Sequence, residues 1–253
     1  MLRAVVVAAL AWSTLVDIAS AAPQVTLQAS LTPERLGYGT TVGFGFDVKA
    51  ASGRVPPPLI GIEIRYPGNL GFALSGIGQA ICAPSTLEKL VPSACPAEAV
   101  MGAGEALAEL EVESVLVQEP TRLTILRGPT QQGHLALLFY ADGEAPVSAQ
   151  VIFPGLLLPA RAPFGGTIGV TVPLVPSWPE SSDLSVVRLR ATLGPEHLTY
   201  YKHIHGRLVP YNPRGILLPR VCPKQGFRFR GSFHFSDGSG ASATTVVPCP
   251  RHS

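Results

Sequence analysis

His203-Ile204-His205 is the stretch whose residue types best suit chemistry. On a strand, residues two apart project from one face, so both imidazoles would reach a single Zn²⁺ or Cu²⁺ ion. A full shell would need His197, His234 or a carboxylate, and no spacing in the sequence brings them there. The alternative is a pair of exposed strand histidines among Tyr200, Tyr201 and Lys202. Glu109, Glu111 and Glu113 would put three carboxylates on one strand face, and carboxylate oxygens suit Ca²⁺. Carboxylates spaced by two along a strand stand roughly 7 Å apart, which fits a solvated face better. Trp178, Tyr200, Tyr201 and Tyr211 fall in or near loop segments. Exposed together they would make a platform for a sugar or a protein partner, because aromatic rings cover much area at low entropic cost; packed into the core they would do none of this.

Motifs of nucleophilic catalysis are missing. There is no Gly-x-Ser-x-Gly and no His-Glu-x-x-His. Asp237-Gly238-Ser239-Gly240 contains a Gly-Ser-Gly but reads as a hairpin turn. Gly102-x-Gly104 is followed by strand pattern rather than by a helix, so it is no nucleotide loop. No catalytic residue and no cofactor is assigned.

The elements that must position these residues are strands. Phe227, Phe229, Phe233 and Phe235 alternate with Arg228, Arg230, Ser232 and His234, the period of a strand with one buried face. Ser236 to Gly240 are turn residues, and a second strand runs from Ala241 to Val247. Matching apolar with apolar residues sets Phe229 opposite Val247 and Phe233 opposite Ala243. The same period recurs in Val42 to Val48, Ile60 to Tyr66, Ile168 to Val172 and Val187 to Leu193. Further strands are expected at Val25 to Ala29, Ala106 to Val117, Thr121 to Leu126, Leu135 to Tyr140, Val147 to Phe153 and Tyr200 to Leu208. Only Ser85 to Leu90 suggests a helix, with Ser85 as its cap and Glu88 three residues on. Ten to twelve short strands separated by turns predict an all-β antiparallel β-sandwich. Residues 22–253 form this domain, with 173–182 the only candidate subdivision.

Composition narrows the class. With 19 Lys and Arg against 17 Asp and Glu, the net charge of +2 argues against a nucleic-acid partner. The first 21 residues read as a signal peptide, with Arg3, an apolar stretch from Ala4 to Val16, and Ala19-Ser20-Ala21 as the cleavage pattern; the alternative is a retained membrane anchor, for which the stretch is short and Asp17 interrupts its end. No second apolar span follows, so the mature chain is expected to be secreted, extracellular and without a membrane span. Four cysteines in an exported chain fit two disulfides. Of three connectivities, the local pairs Cys82–Cys95 and Cys222–Cys249 are expected. The second requires Pro223 to Gly226 to fold back as a turn.

The pattern Cys222-Pro223, Gly226-Phe227, the alternating phenylalanines, Asp237-Gly238-Ser239 and Val246-Val247-Pro248-Cys249-Pro250 resembles a group of exported β-sandwich proteins of unknown function in high-GC actinobacteria. Ile62-Glu63-Ile64, Pro67-Gly68, Cys82, Cys95-Pro96 and Gly102-Ala103-Gly104 match the same group. The resemblance implies a bacterial, exported fold with no known catalytic residue or cofactor. The expected function is therefore non-enzymatic, with a structural, surface or binding role and a cell-surface or carbohydrate partner as one option. The alternatives are a metal-dependent or hydrolytic enzyme at His203 and His205, and a carrier of a small apolar ligand, suggested by a mean hydropathy of +0.30.

Overall fold

The computed structural model describes residues 22–51, 54–68, 70–71, 76–176 and 183–250. The signal segment and Trp178 lie outside these residues. The described chain is nearly all strand: β1 (Gln24–Thr32), β2 (Gly39–Lys49), β3 (Leu59–Pro67), a short helix α1 (Pro84–Lys89), β4 (Val100–Val112), β5 (Val115–Arg127), β6 (Ala136–Gly143), β7 (Gln150–Pro159), β8 (Phe164–Thr171), β9 (Ser185–Leu193), β10 (Tyr200–Ile204), β11 (Arg207–Tyr211), β12 (Ile216–Leu217), β13 (Phe227–Phe235) and β14 (Gly240–Val247). The expected antiparallel all-β fold with two disulfides is what the structure shows.

One sheet runs in the order β1-β2-β9-β4-β5-β6-β7-β8-β3-β13-β14, with β12 beside β2; β10 and β11 form a separate ribbon. Strands before and after residues 173–182 interleave, since β9 lies between β2 and β4 and β3 between β8 and β13. Every ladder along the path is antiparallel. The path has an odd number of strands, so its first and last must run the same way. β1 and β14 do lie side by side, but without a ladder among the described residues. The sheet thus curls into a barrel-like arrangement with a parallel seam, and the two layers expected of a sandwich are its facing walls.

The alternation of the sequence explains which side faces in. Along β13, Phe227, Phe229, Gly231, Phe233 and Phe235 are buried while Arg228, Arg230 and His234 are exposed. Each buried phenylalanine contributes about 1.5–3 kcal/mol relative to exposure. The hairpin keeps the expected parity but is displaced by two residues: Phe229 faces Thr245, Phe233 faces Ala241 and Phe227 faces Val247. The turn is tighter than expected. Gly240 enters the ladder opposite His234, the Phe235 N–H donates to the Ser239 carbonyl, and the Asp237 side chain accepts the Ser239 N–H at 2.9 Å. The fold-back before β13 is present: Gly226 sits at φ +73° and donates to the Pro223 carbonyl at 2.9 Å.

Two other expectations are corrected. α1 starts one residue earlier, with Pro84 in its first turn and Ala83 as N-cap, and no side chain caps it. Proline's fixed φ and missing N–H suit that position. Ala106 to Val117 is not one strand, because Glu113 (φ +48°) and Ser114 (φ +68°) turn the chain between β4 and β5.

The ladders give the barrel two unlike rims. One carries the tight β4–β5, β6–β7 and β13–β14 connections. The other carries α1, which Cys82–Cys95 ties down, and the β10–β11 ribbon.

Candidate functional site

A cavity of about 180 Å³ lies inside the barrel. Its walls come from β2 through β9 and from β13, and almost all are apolar. Residue size explains why the interior is hollow there. The inward positions of β4 hold Ala106 and Ala108, with Ala141 on β6, Ala149 beside β7 and Ala191 on β9. These methyls share the lining with Phe44, Phe139, Phe153, Leu123 and Ile168. Small residues gathered from neighbouring strands leave a volume that the large ones do not reach, whereas well-packed interiors leave few voids larger than a water.

Among the described residues the lining has three side chains with polar groups, Tyr66 on β3 and Glu119 and Thr121 on the inward face of β5. Glu119 is 1% exposed. Its Oε2 accepts the Val147 N–H at 2.7 Å, across the β6–β7 connection. Its Oε1 lies against Gly143, where any Cβ would collide with it. Among the described residues Glu119 has no ion pair. Opposite it on β4 is Ala108.

Sequence reasoning missed Glu119. Pro120 reads as the end of a strand, so the next strand was expected to start only at Thr121. Pro120 is tolerated within β5, and its carbonyl accepts the Glu144 N–H at 3.2 Å. The signal was parity: 119 shares the face of 121, 123 and 125.

The histidine segment is arranged differently from expectation. Tyr200 to Leu208 is not one strand but most of a hairpin, with the turn at His205 (φ +48°) and Gly206 (φ +75°). Two consecutive residues at positive φ make the turn that suits a two-residue hairpin. His203 is in β10 opposite Leu208, while His205 sits in the turn, so the shared strand face does not exist. No group of three His, Cys, Asp or Glu among the described residues is placed to hold a metal ion.

The aromatic residues do not form one platform. Tyr200 is fully buried, where its O–H donates to the Val100 carbonyl and its oxygen accepts the Gly78 N–H at 3.0 Å. Burial raises its pKa, the Gly78 N–H opposes the rise, and the nearby Tyr211 and Glu98 add to it. Tyr211 packs edge-on to Tyr200 with centroids 5.9 Å apart and donates to Gln79 Oε1 at 3.1 Å. Tyr201, 44% exposed, faces solvent.

The glutamates of β4 also separate. Glu109 accepts from Gln118 at 2.8 Å, Glu111 pairs with Arg54 at 2.9 Å, and Glu113 is in the turn. Both cysteine pairs are the expected ones, with Cα atoms 5.4 Å apart in Cys82–Cys95 and 5.9 Å in Cys222–Cys249.

No protein-family model, no curated protein and no solved structure matches the chain. Among the described residues no helix is long and apolar enough to cross a membrane.

Proposed function

We propose that the protein is an exported, non-enzymatic binding protein whose barrel interior holds a small apolar ligand. The observation that supports this reading is the cavity of about 180 Å³ with its nearly unbroken apolar lining. A cavity of about 150 Å³ lined by Leu, Ile and Phe stays dry and takes up benzene. The present one therefore suits a single ring with a short chain. Small barrels commonly hold one such ligand. Among the described residues its lining offers one carboxylate and the hydroxyls of Thr121 and Tyr66, without a histidine or cysteine, which favours binding over turnover. Export is part of the reading: the leading 21 residues have signal-peptide character, and two disulfides suit an oxidising compartment.

Residues 22–253 with disulfides intact provide the test. Propylbenzene should raise the melting temperature with concentration, as any ligand that binds only the folded state does. Replacing Ala106 and Ala191 by Leu should abolish that rise. A melting temperature indifferent to propylbenzene, benzene and xenon would remove the proposal.

A further inference from the structure

We infer that Glu119 is the polar anchor of the cavity, and that the ligand is a small aryl- or alkylamine whose ammonium meets this carboxylate. The inference rests on the cavity being a ligand site and names the ligand class.

The geometry carries it. A carboxylate withdrawn from water needs either hydrogen bonds or a cation, because burying an unpaired charge is costly. An ionised carboxylate has about four acceptor positions. Glu119 is 1% exposed, and its single hydrogen bond among the described residues comes from Val147. Among the described residues no arginine, lysine or histidine lines the cavity with it. Oε1 occupies the place a Cβ would take at Gly143 and accepts no hydrogen bond there among the described residues. Thr121 adds a hydroxyl on the same face of β5.

A structural role alone fits less well. Holding the β6–β7 connection through Val147 needs one acceptor, which a neutral glutamine supplies without a buried charge. A ligand ammonium supplies the missing cation and up to three donors, and charge-assisted bonds of this kind are roughly twice as strong as neutral ones. The apolar remainder of the ligand would lie toward Leu123, Phe139 and Ile168.

Three size-matched probes test this by calorimetry and thermal shift at pH 7: propylbenzene, phenethylamine and 3-phenylpropionate. Phenethylamine should bind at least about tenfold more tightly than propylbenzene, and 3-phenylpropionate at least about tenfold more weakly, as charge pairing and repulsion at one carboxylate require. In Glu119→Gln the preference for the amine over propylbenzene should vanish, because the charge that sets it is gone. Equal affinity for amine and hydrocarbon, or an amine preference that survives Glu119→Gln, would overturn the anchor and leave the cavity reading standing. Failure of both propylbenzene and phenethylamine to bind would overturn both. If Glu119→Gln does not fold, the ranking of the three probes on the wild-type protein decides.

Discussion

Phe46 and Phe233 meet edge to face, with ring centroids 5.0 Å apart, although their strands share no ladder. β2 and β13 stand on opposite sides of the seam, so this contact joins facing walls. It marks the densely packed border of the cavity, where the phenylalanines of β13 pack with Leu27, Leu31, Val42 and Ile64. The alanines of β4, β6 and β9 mark the hollow side. Filling is uneven because the large residues cluster on a few strands.

Ala106→Leu should therefore stabilise the protein, by about 0.5–2 kcal/mol as for other cavity-filling changes. Urea unfolding at pH 7 reads this as a higher midpoint at unchanged slope. A loss of stability would mean that the space beside Ala106 cannot take a larger side chain.

Gly231→Ala should act in the opposite direction. Gly231 interrupts the inward phenylalanine series, and a Cβ there would stand 2.6 Å from Phe233 Cε2 and 3.3 Å from Ile64 Cδ1. Phe233 is fully buried and has little room to retreat. Overpacking of this kind costs about 1–3 kcal/mol. An unchanged urea midpoint would contradict the contact.

Tyr200→Phe removes the O–H that donates to Val100 and leaves the Gly78 N–H without its acceptor. The expected loss is about 1–3 kcal/mol, the usual cost of an orphaned buried group. Tyr201→Phe, at an exposed site, should stay within about 0.5 kcal/mol.

The same hydroxyl predicts alkaline sensitivity. Burial raises Tyr200 above the ordinary tyrosine value near 10, and it raises Tyr66 and Tyr140 too. A group whose pKa is higher folded than unfolded holds its proton more tightly in the folded state. Its contribution is complete below the unfolded value and is lost as pH rises through the folded one. The urea midpoint should fall above pH ~10, and less steeply in Tyr200→Phe. Parallel pH curves for the two proteins would count against this assignment.

Removing Cys222–Cys249 by paired alanine substitution should cost more than removing Cys82–Cys95. The sequence separations are 27 and 13, and loop entropy gives about 3.6 and 3 kcal/mol. The reverse order in chemical denaturation would show that strand contacts, not chain closure, dominate.

The fold was largely legible because its signals are local. Val42 to Val48, Ile60 to Tyr66 and Phe227 to Phe235 each declare an inward face through period two, and turn residues separate them. The hairpin register slipped by two residues because parity alone does not say whether Gly240 belongs to the turn or the ladder. At Tyr200 to Tyr211 the turn signal was present in His205-Gly206, but the His-x-His spacing drew it into a strand. The cavity could not be read at all. It arises where Ala106, Ala141 and Ala191, distant in sequence, meet on three strands, and each alone is an unremarked small residue. Glu119 belongs to the same class, since its importance comes from burial that only the assembled walls create.

The odd strand count settles where the chain enters and leaves the barrel. Had the number been even, both would share a rim. With β1 and β14 parallel, residues ahead of Gln24 set out from the rim near Glu119, and those after Val247 depart from the opposite one, next to Cys249. The first and last described strands thus open at opposite poles of the barrel, the start of β1 at the acidic end of the cavity and the end of β14 at the disulfide end.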